Sequence, residues 1–286
     1  MSRCEVIIVS YGRDHLLGAQ LKQIRRLYPD VPICWGLQGE YSSALNDLAA
    51  GDPGVRIVHH HRPHITETLN ACLRTSKAEL VFLLDDDALP CPGWMESMEL
   101  VFQQHPDLVY CMGREIRLSG HPSLLEEWAR LCCETVCAPF VPRNARCRGR
   151  IVGWMNKGGF LFGNFHLSGS CEINSPRGCN LALHRRRTLE LGGFDEDFRG
   201  VQWGFETEFG LRLQSCGLLG RYCSEAAVLH AQVPKGGTRA KTDWSGLAVS
   251  VHNHRLVNRH LGPCAWIGAL PRMGRTLLRC LVGTKA

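Results

Sequence analysis

Between residues 4 and 116, short apolar runs alternate with stretches in which every third or fourth position is apolar. The runs EVIIVSY (5–11), VPICWGL (31–37), VRIVHHH (55–61), ELVFLLD (79–85) and DLVYCMGREI (107–116) have strand length and strand composition. Between them, RDHLLGAQLKQIRRL places Leu17, Leu21, Ile24 and Leu27 at helical spacing, and Pro29 stops the pattern. ITETLNACLRTSKA puts Ile65, Leu69, Cys72 and Leu73 on one stripe, and a further helix is predicted around Trp94 to Gln104. Residues 80–84 are apolar throughout, the mark of a central parallel strand covered on both faces. This alternation predicts an α/β fold, a doubly wound, Rossmann-like sheet flanked by helices, with ligands taken at the carboxyl ends of the strands.

Residues 120–178 break the rhythm. They are rich in Cys, Arg, Gly and aromatic residues, and only HPSLLEEWARLCCE (121–134) predicts a helix. Order returns at RGCNLALHRRRTLELGGFDEDF (177–198). No repeat or low-complexity linker divides the 286 residues, so a single large domain with a variable middle is expected, with two domains split near residue 120 as the alternative.

The composition, 44% hydrophobic and 21% charged, is that of a globular protein. A formal charge of +6 without a long basic run argues against nucleic-acid binding and suits an anionic small substrate. The apolar run near the N-terminus is too short for a signal-peptide core, and no uninterrupted 18-residue apolar stretch occurs; a cytoplasmic protein is expected. The 15 cysteines then read as reduced thiols, and Cys132, Cys133, Cys137 and Cys147 lack the C-x-x-C spacing of a zinc site. The segment 266–286 mixes apolar residues with Arg272, Arg275, Arg279 and Lys285. It has two readings: an amphipathic helix in peripheral contact with an anionic membrane, or a terminal helix docked on the domain.

The chemistry concentrates in LLDDDALPCPGW (83–94). A buried strand ends there in three carboxylates with no lysine or arginine near them in the chain. Like charges so placed need a cation, and Mg2+ or Mn2+ with its preference for oxygen ligands supplies one. Period 2 turns Asp85 and Asp87 one way and Asp86 the other. The alternative is a solvated turn, since aspartate favours turns for its own backbone hydrogen bonds.

The wider context resembles the family 2 glycosyltransferases of GT-A fold. NACLRTSKAELVFLLDDDA, from Asn70, is similar to that family's helix leading into a strand that ends in D-x-D. VIIVSYGRDHLLGAQLKQI resembles its opening, with Tyr11 where an aromatic lies near the nucleotide base. GCNLALHRRRTLELGGFDEDFRGVQWGFETEFGLRLQSCG and the strand AAVLH resemble its second block.

The resemblance implies an inverting, metal-dependent transfer from a nucleotide-sugar donor, UDP-linked by family habit, to a glycan, lipid-linked or small-molecule acceptor. It implies Glu206 as catalytic base, Asp87 and His230 as ligands of Mn2+ or Mg2+, and Tyr11, Asp85 and Asp86 toward the nucleotide. It implies a GT-A domain over 1–260, with a nucleotide-sugar half (1–116) and an acceptor-side half (117–260), then a basic tail (261–286). The stretch 153–170 is the candidate acceptor lid.

There are departures from the family. The turn after the second strand is GLQGEY (36–41), with Glu40 as its only carboxylate, and the usual Glu-Asp pair is replaced by Glu206 and Glu208. These keep a non-catalytic nucleotide-sugar-binding protein open as an alternative. A sugar-phosphate nucleotidylyltransferase fits less well, because SYGRDHLLG is a poor match to its glycine-rich loop.

Overall fold

The computed structural model describes residues 3–118, 123–200, 202–233 and 244–282. In chain order the principal elements are β1 (Cys4–Ser10), α1 (Asp14–Leu27), β2 (Ile33–Gln38), α2 (Ala44–Ala50), β3 (Val55–His60), α3 (Ile65–Thr75) and β4 (Leu80–Asp85). β5 (Ala88–Pro90), α4 (Trp94–Gln104), β6 (Tyr110–Arg117), α5 (Leu124–Cys137), β7 (Ser170–Ile173), β8 (Asn180–His184) and α6 (Arg185–Glu190) follow. The chain continues through α7 (Phe205–Ser215), β9 (Gly220–His230), α8 (Trp244–Asn258) and α9 (Trp266–Val282).

Alternate side chains of the central strands enter opposite cores, which sets the layers. Leu80, Phe82 and Leu84 of β4 join Val6 and Ile8 of β1 beneath α1 and α4, where Leu17, Ile24, Trp94 and Met98 fill the space. Val81, Leu83 and Ile7 face the other way, onto Leu69, Cys72 and Leu73 of α3 and Phe209 of α7. With both faces covered, β4 has no place for a polar residue until the strand leaves the core at Asp85.

Among the described residues the main sheet has nine strands, in the order β7-β9-β6-β8-β4-β1-β2-β3, with β5 paired to β9. β3, β2, β1 and β4 run parallel. β8 is the reversal: it runs antiparallel between β4 and β6, pairing Asn180 with Leu84 and Leu181 with Met112. β9 runs parallel to β6, and β5 folds back on β9 with Ala88 opposite His230. The mixed sheet flanked by helices is the α/β arrangement expected from the sequence. The reversed strand lies within the block 177–198, whose order periodicity detects but whose direction it does not.

The middle segment has its own small core, in which Cys137, Val141, Ala145, Ile151, Trp154 and Phe162 cluster. Two short hairpins organise it, pairing 146–147 with 150–151 and 154–155 with 161–162. Strands of two residues are too short to print a period on the sequence. The first turn of α9 rests on the second hairpin: Gly268 N–H donates to the Gly158 carbonyl at 2.8 Å. Gly159 (φ +78°) lies so near that a side chain there would sit 2.0 Å from the Ala265 carbonyl oxygen. Ile267, Leu270 and Leu278 of α9 stay exposed. No helix among the described residues is long and apolar enough to cross a membrane.

One side chain ties α3 to the turn before α7. Buried Asn70 accepts from Phe194 N–H at 2.9 Å and donates to the Phe194 carbonyl and to Glu196, both at 2.8 Å. Asn70→Ala strands the buried Phe194 N–H and is expected to cost about 1–3 kcal/mol in urea unfolding. A loss well below that range would mean that the turn finds another partner.

Candidate active site

The three aspartates leave the core at the carboxyl end of β4, and the pairing of β5 with β9 carries Asp87 to His230. His230 Nε2 lies 3.1 Å from Asp87 Oδ1 and 3.9 Å from Asp85 Oδ2, while Nδ1 lies 2.8 Å from Glu115 Oε1. A ring bonded to carboxylates through both nitrogens carries both protons. Burial opposes that charge, but bonds to Asp87, Cys179 and Glu115 outweigh it and push the imidazolium up to about 12. Burial would raise Glu115; the His230 bond and the charges of Arg177 and Arg117 bring it down to about 2.

Asp86 turns the other way, as period 2 requires. Ser10 Oγ donates to it at 2.7 Å and Arg13 Nη1 at 2.8 Å, and the same guanidinium nitrogen reaches Asp87 at 3.2 Å. Arg13 also donates to the Val233 carbonyl at 3.0 Å, and Val233 N–H donates to Asp87 at 2.9 Å. The cation missing from the local sequence thus comes from the turn after β1. Desolvation still leaves Asp86 above its ordinary value, against Arg13 and Ser10. Asp85 is the open member, with 45% of its side chain exposed at the floor of a cleft enclosed by protein. Desolvation pushes it up to about 7; His230 opposes, and Asp87, Asp86 and Glu206 add to the rise.

The cleft has a volume of about 340 Å³. Tyr11, Asp85, Asp86 and Glu206 all line it; Asp87 and His230 are buried. Glu206 stands in the first turn of α7, which starts from Gly204 in a left-handed conformation (φ +92°). Glu206 accepts from Gly178 N–H at 3.1 Å, and burial raises its proton affinity above the ordinary value, against that bond and Arg177. Glu208, two residues on, faces away. It is fully buried and bonded to Arg212 (3.1 Å), Arg259 (2.8 Å) and His260 (2.9 Å). Of the two glutamates, one opens to the cleft and the other is a structural ion pair.

Besides Ser10, Arg177 and Cys179, three contributors carry no motif signal in the sequence. Arg13 and Glu115 are described above. Gln38, at the end of β2, lines the cleft beside Tyr11, and its buried Oε1 has no hydrogen-bond partner among the described residues. Strand parity could have found it, since Gln38 shares a face with Cys34 and Gly36; Glu40, the residue singled out in that turn, is exposed. The candidate lid supplies Leu161 and Phe165 to the cleft wall, and Trp203 lines the cleft while stacked on His254 at 4.5 Å. The histidines near residue 60 lie at the sheet edge, where His60 and His64 approach Glu67. Arg185 and Arg187 bond to carbonyls beside α6. Cys132, Cys133, Cys137 and Cys147 form no metal-binding group among the described residues, which show no disulfide.

Two groups of described residues have donor atoms within 4.8 Å of one another, Asp85–Asp87–His230 and Glu115–Cys179–His230. The first offers two carboxylates and an imidazole, a set suited to Mn2+ or Mg2+. Its histidine is already fixed through Nδ1 by Glu115, which leaves Nε2 aimed at the aspartates, and a divalent ion taken there would replace the Nε2 proton that Asp87 accepts in the metal-free protein. The donor set fits a divalent cation.

Residues 5–124 match the family model described as Glycosyl transferase family 2. Chondroitin synthase of Escherichia coli is 29% identical over 188 residues, 61% of this chain and 25% of the relative, so the chain spans a quarter of that protein. Among solved structures, GalNAc-T7 with UDP, GalNAc and Mn2+ covers 83% of this chain and 45% of its own, at 12% identity and TM-score 0.61. The mannosyltransferase PcManGT of Pyrobaculum calidifontis, in complex with GDP-Man and Mn2+, covers 99% and 76%, at 16% identity and TM-score 0.56. S. aureus TarS covers 91% and 43%, at 9% identity and TM-score 0.54. At these identities the structures establish the shared fold.

Arg13→Gln removes a buried guanidinium from between two carboxylates. It is expected to lower stability by roughly 3–5 kcal/mol, measured by urea unfolding of the metal-free protein.

Proposed function

A family 2 glycosyltransferase domain occupies residues 5–124, and on that premise we propose an inverting, metal-dependent transfer from a UDP-sugar to an acceptor hydroxyl. The supporting observation is the convergence of the Asp85–Asp87–His230 group and Glu206 on one cleft at the carboxyl edge of the sheet. In this reading Asp85, Asp87 and His230 hold Mn2+ or Mg2+. Such an ion, when bound, acts as a Lewis acid toward the departing diphosphate.

The remaining work belongs to the chain. Glu206 accepts the proton of the attacking hydroxyl, and the Gly178 N–H holds its carboxylate at the cleft wall. Tyr11 supplies an aromatic face to the base; its ring is close enough to Gly39 that a side chain there would meet it at 3.2 Å. Gln38 Oε1, unpaired among the described residues, can accept a base ring N–H such as the imide of uracil. Asp86, oriented by Ser10 and Arg13, serves the ribose side. The half at 117–260 provides the acceptor side, and the acceptor is a glycan, a lipid-linked sugar or a small molecule. Cytoplasmic placement with peripheral membrane contact through α9 belongs to the same reading. Residues 261–286 contain four basic side chains and no acidic one, and α9 turns Ile267, Leu270 and Leu278 outward.

Asp87→Ala is expected to abolish Mn2+-dependent release of UDP from donor sugars, followed by nucleotide detection across a panel of UDP-sugars. Glu206→Gln is expected to lower kcat by about 10²–10⁴-fold while donor-induced thermal stabilisation persists. A variant that transfers at the wild-type rate would remove Glu206 from the role of base. Because burial raises Glu206, the wild-type rate is expected to fall with decreasing pH at a midpoint above that of an ordinary glutamate, and Glu206→Gln to lack that limb.

A further inference from the structure

Behind the Phe165 side of the cleft lies a second cavity of about 440 Å³, which shares Leu161, Phe165 and Arg177 with the first. Four arginines line it, Arg114 and Arg117 from β6, Arg130 from α5, and Arg177, against two carboxylates, Glu115 and Glu127. The lining therefore carries two positive charges in excess. The carboxylates are already compensated. Glu115 is met by Arg177 at 2.6 Å, Arg117 at 3.2 Å and His230 at 2.8 Å, and Glu127 by Arg130 and Arg150, each at 3.6 Å. Arg114 donates through Nε to the His166 carbonyl at 2.8 Å and has no carboxylate partner among the described residues. The Arg177 guanidinium lies 5.4 Å from the centre of the Phe165 ring, a flat wall between the two cavities.

Such a surplus calls for an anion, because guanidinium groups recognise carboxylate and phosphate oxygens through paired, charge-assisted hydrogen bonds. We infer that the acceptor is an anionic sugar derivative, whose carboxylate or phosphate sits among Arg114, Arg117 and Arg130 while its hydroxyl reaches past Phe165 to Glu206. This deepens the proposed transfer and rests on it for the role of Glu206. Two sources of the charge share this chemistry, a uronate within a glycan and the phosphate of a lipid-linked sugar. The latter has a neighbouring feature: α5 brings Glu127 and Arg130 to the cavity while exposing Leu124, Leu125 and Trp128.

The test uses the full chain and three probes matched in alkyl length, hexyl glucoside (neutral), hexyl glucuronide (carboxylate) and hexyl diphosphate glucose (phosphate), with affinities from calorimetry in the presence of UDP and Mn2+. At least one anionic probe is expected to bind about tenfold or more tightly than the neutral one. The double variant Arg114→Gln/Arg130→Gln, which keeps a donor at each position, is expected to lose that advantage while UDP and Mn2+ still raise its melting temperature as in the wild type. The anionic probe that binds identifies the source of the charge. Equal affinity for all three probes, or a preference that survives in the double variant, overturns the inference. The readout is binding, so it stands apart from the transfer reaction: loss of UDP release in every assay with anion preference intact would reject the proposed function and leave the anion site.

Discussion

Like charge gathered at the end of a buried strand is the constraint around which this molecule is arranged. Asp85, Asp86 and Asp87 leave the core together, with Glu115 on a neighbouring strand end and Glu206 across the cleft. Carboxylates so crowded resist ionisation unless cations approach them. Protein cations answer part of the demand: Arg13 meets Asp86 and Asp87, His230 bridges Asp87 and Glu115, and Arg177 meets Glu115. Asp85 is left the most exposed of the three aspartates, its proton affinity raised to about 7. The unmet remainder is thus located at one carboxylate open to the cleft.

The scaffold serves this arrangement by bringing ends of opposite polarity to one edge. β4, β6 and β9 deliver their carboxyl ends, while the reversed β8 delivers its amino end beside Leu84. Residues 177–180 therefore arrive from the opposite direction, and Gly178 can offer its N–H to Glu206. On the far side, Asn70 fixes the turn that precedes α7, so the placement of Glu206 depends on α3 as well as on its own helix.

Much of the framework was legible because each central strand is covered on both faces and each covering helix on one. Residues 80–84 and the stripe Leu17–Leu21–Ile24 follow directly from that geometry. Parity also separated Asp86 from Asp85 and Asp87. Arg13 was not legible: it follows β1 in a polar turn, and nothing in its spacing announces a partner 73 residues away. Glu115 was hidden for a similar reason, since a glutamate inside a predicted strand reads as a solvent-facing position until the neighbouring strands are in place. The middle segment resisted because its core is built from two-residue strands and 3-10 turns rather than from periodic elements.

The placement of β6 and β8 as adjacent strands has an evolutionary corollary. The excursion between them departs from Arg117 and returns at Asn180, and both anchors lie at the same edge of the sheet. Its ends therefore stay close together whatever its length, and the entropy of closing a longer or shorter excursion changes slowly with residue number. Between α5 and β7 the excursion can therefore change in length while β7 keeps its pairs with β9 and Arg177 and Gly178 keep theirs with Glu115 and Glu206.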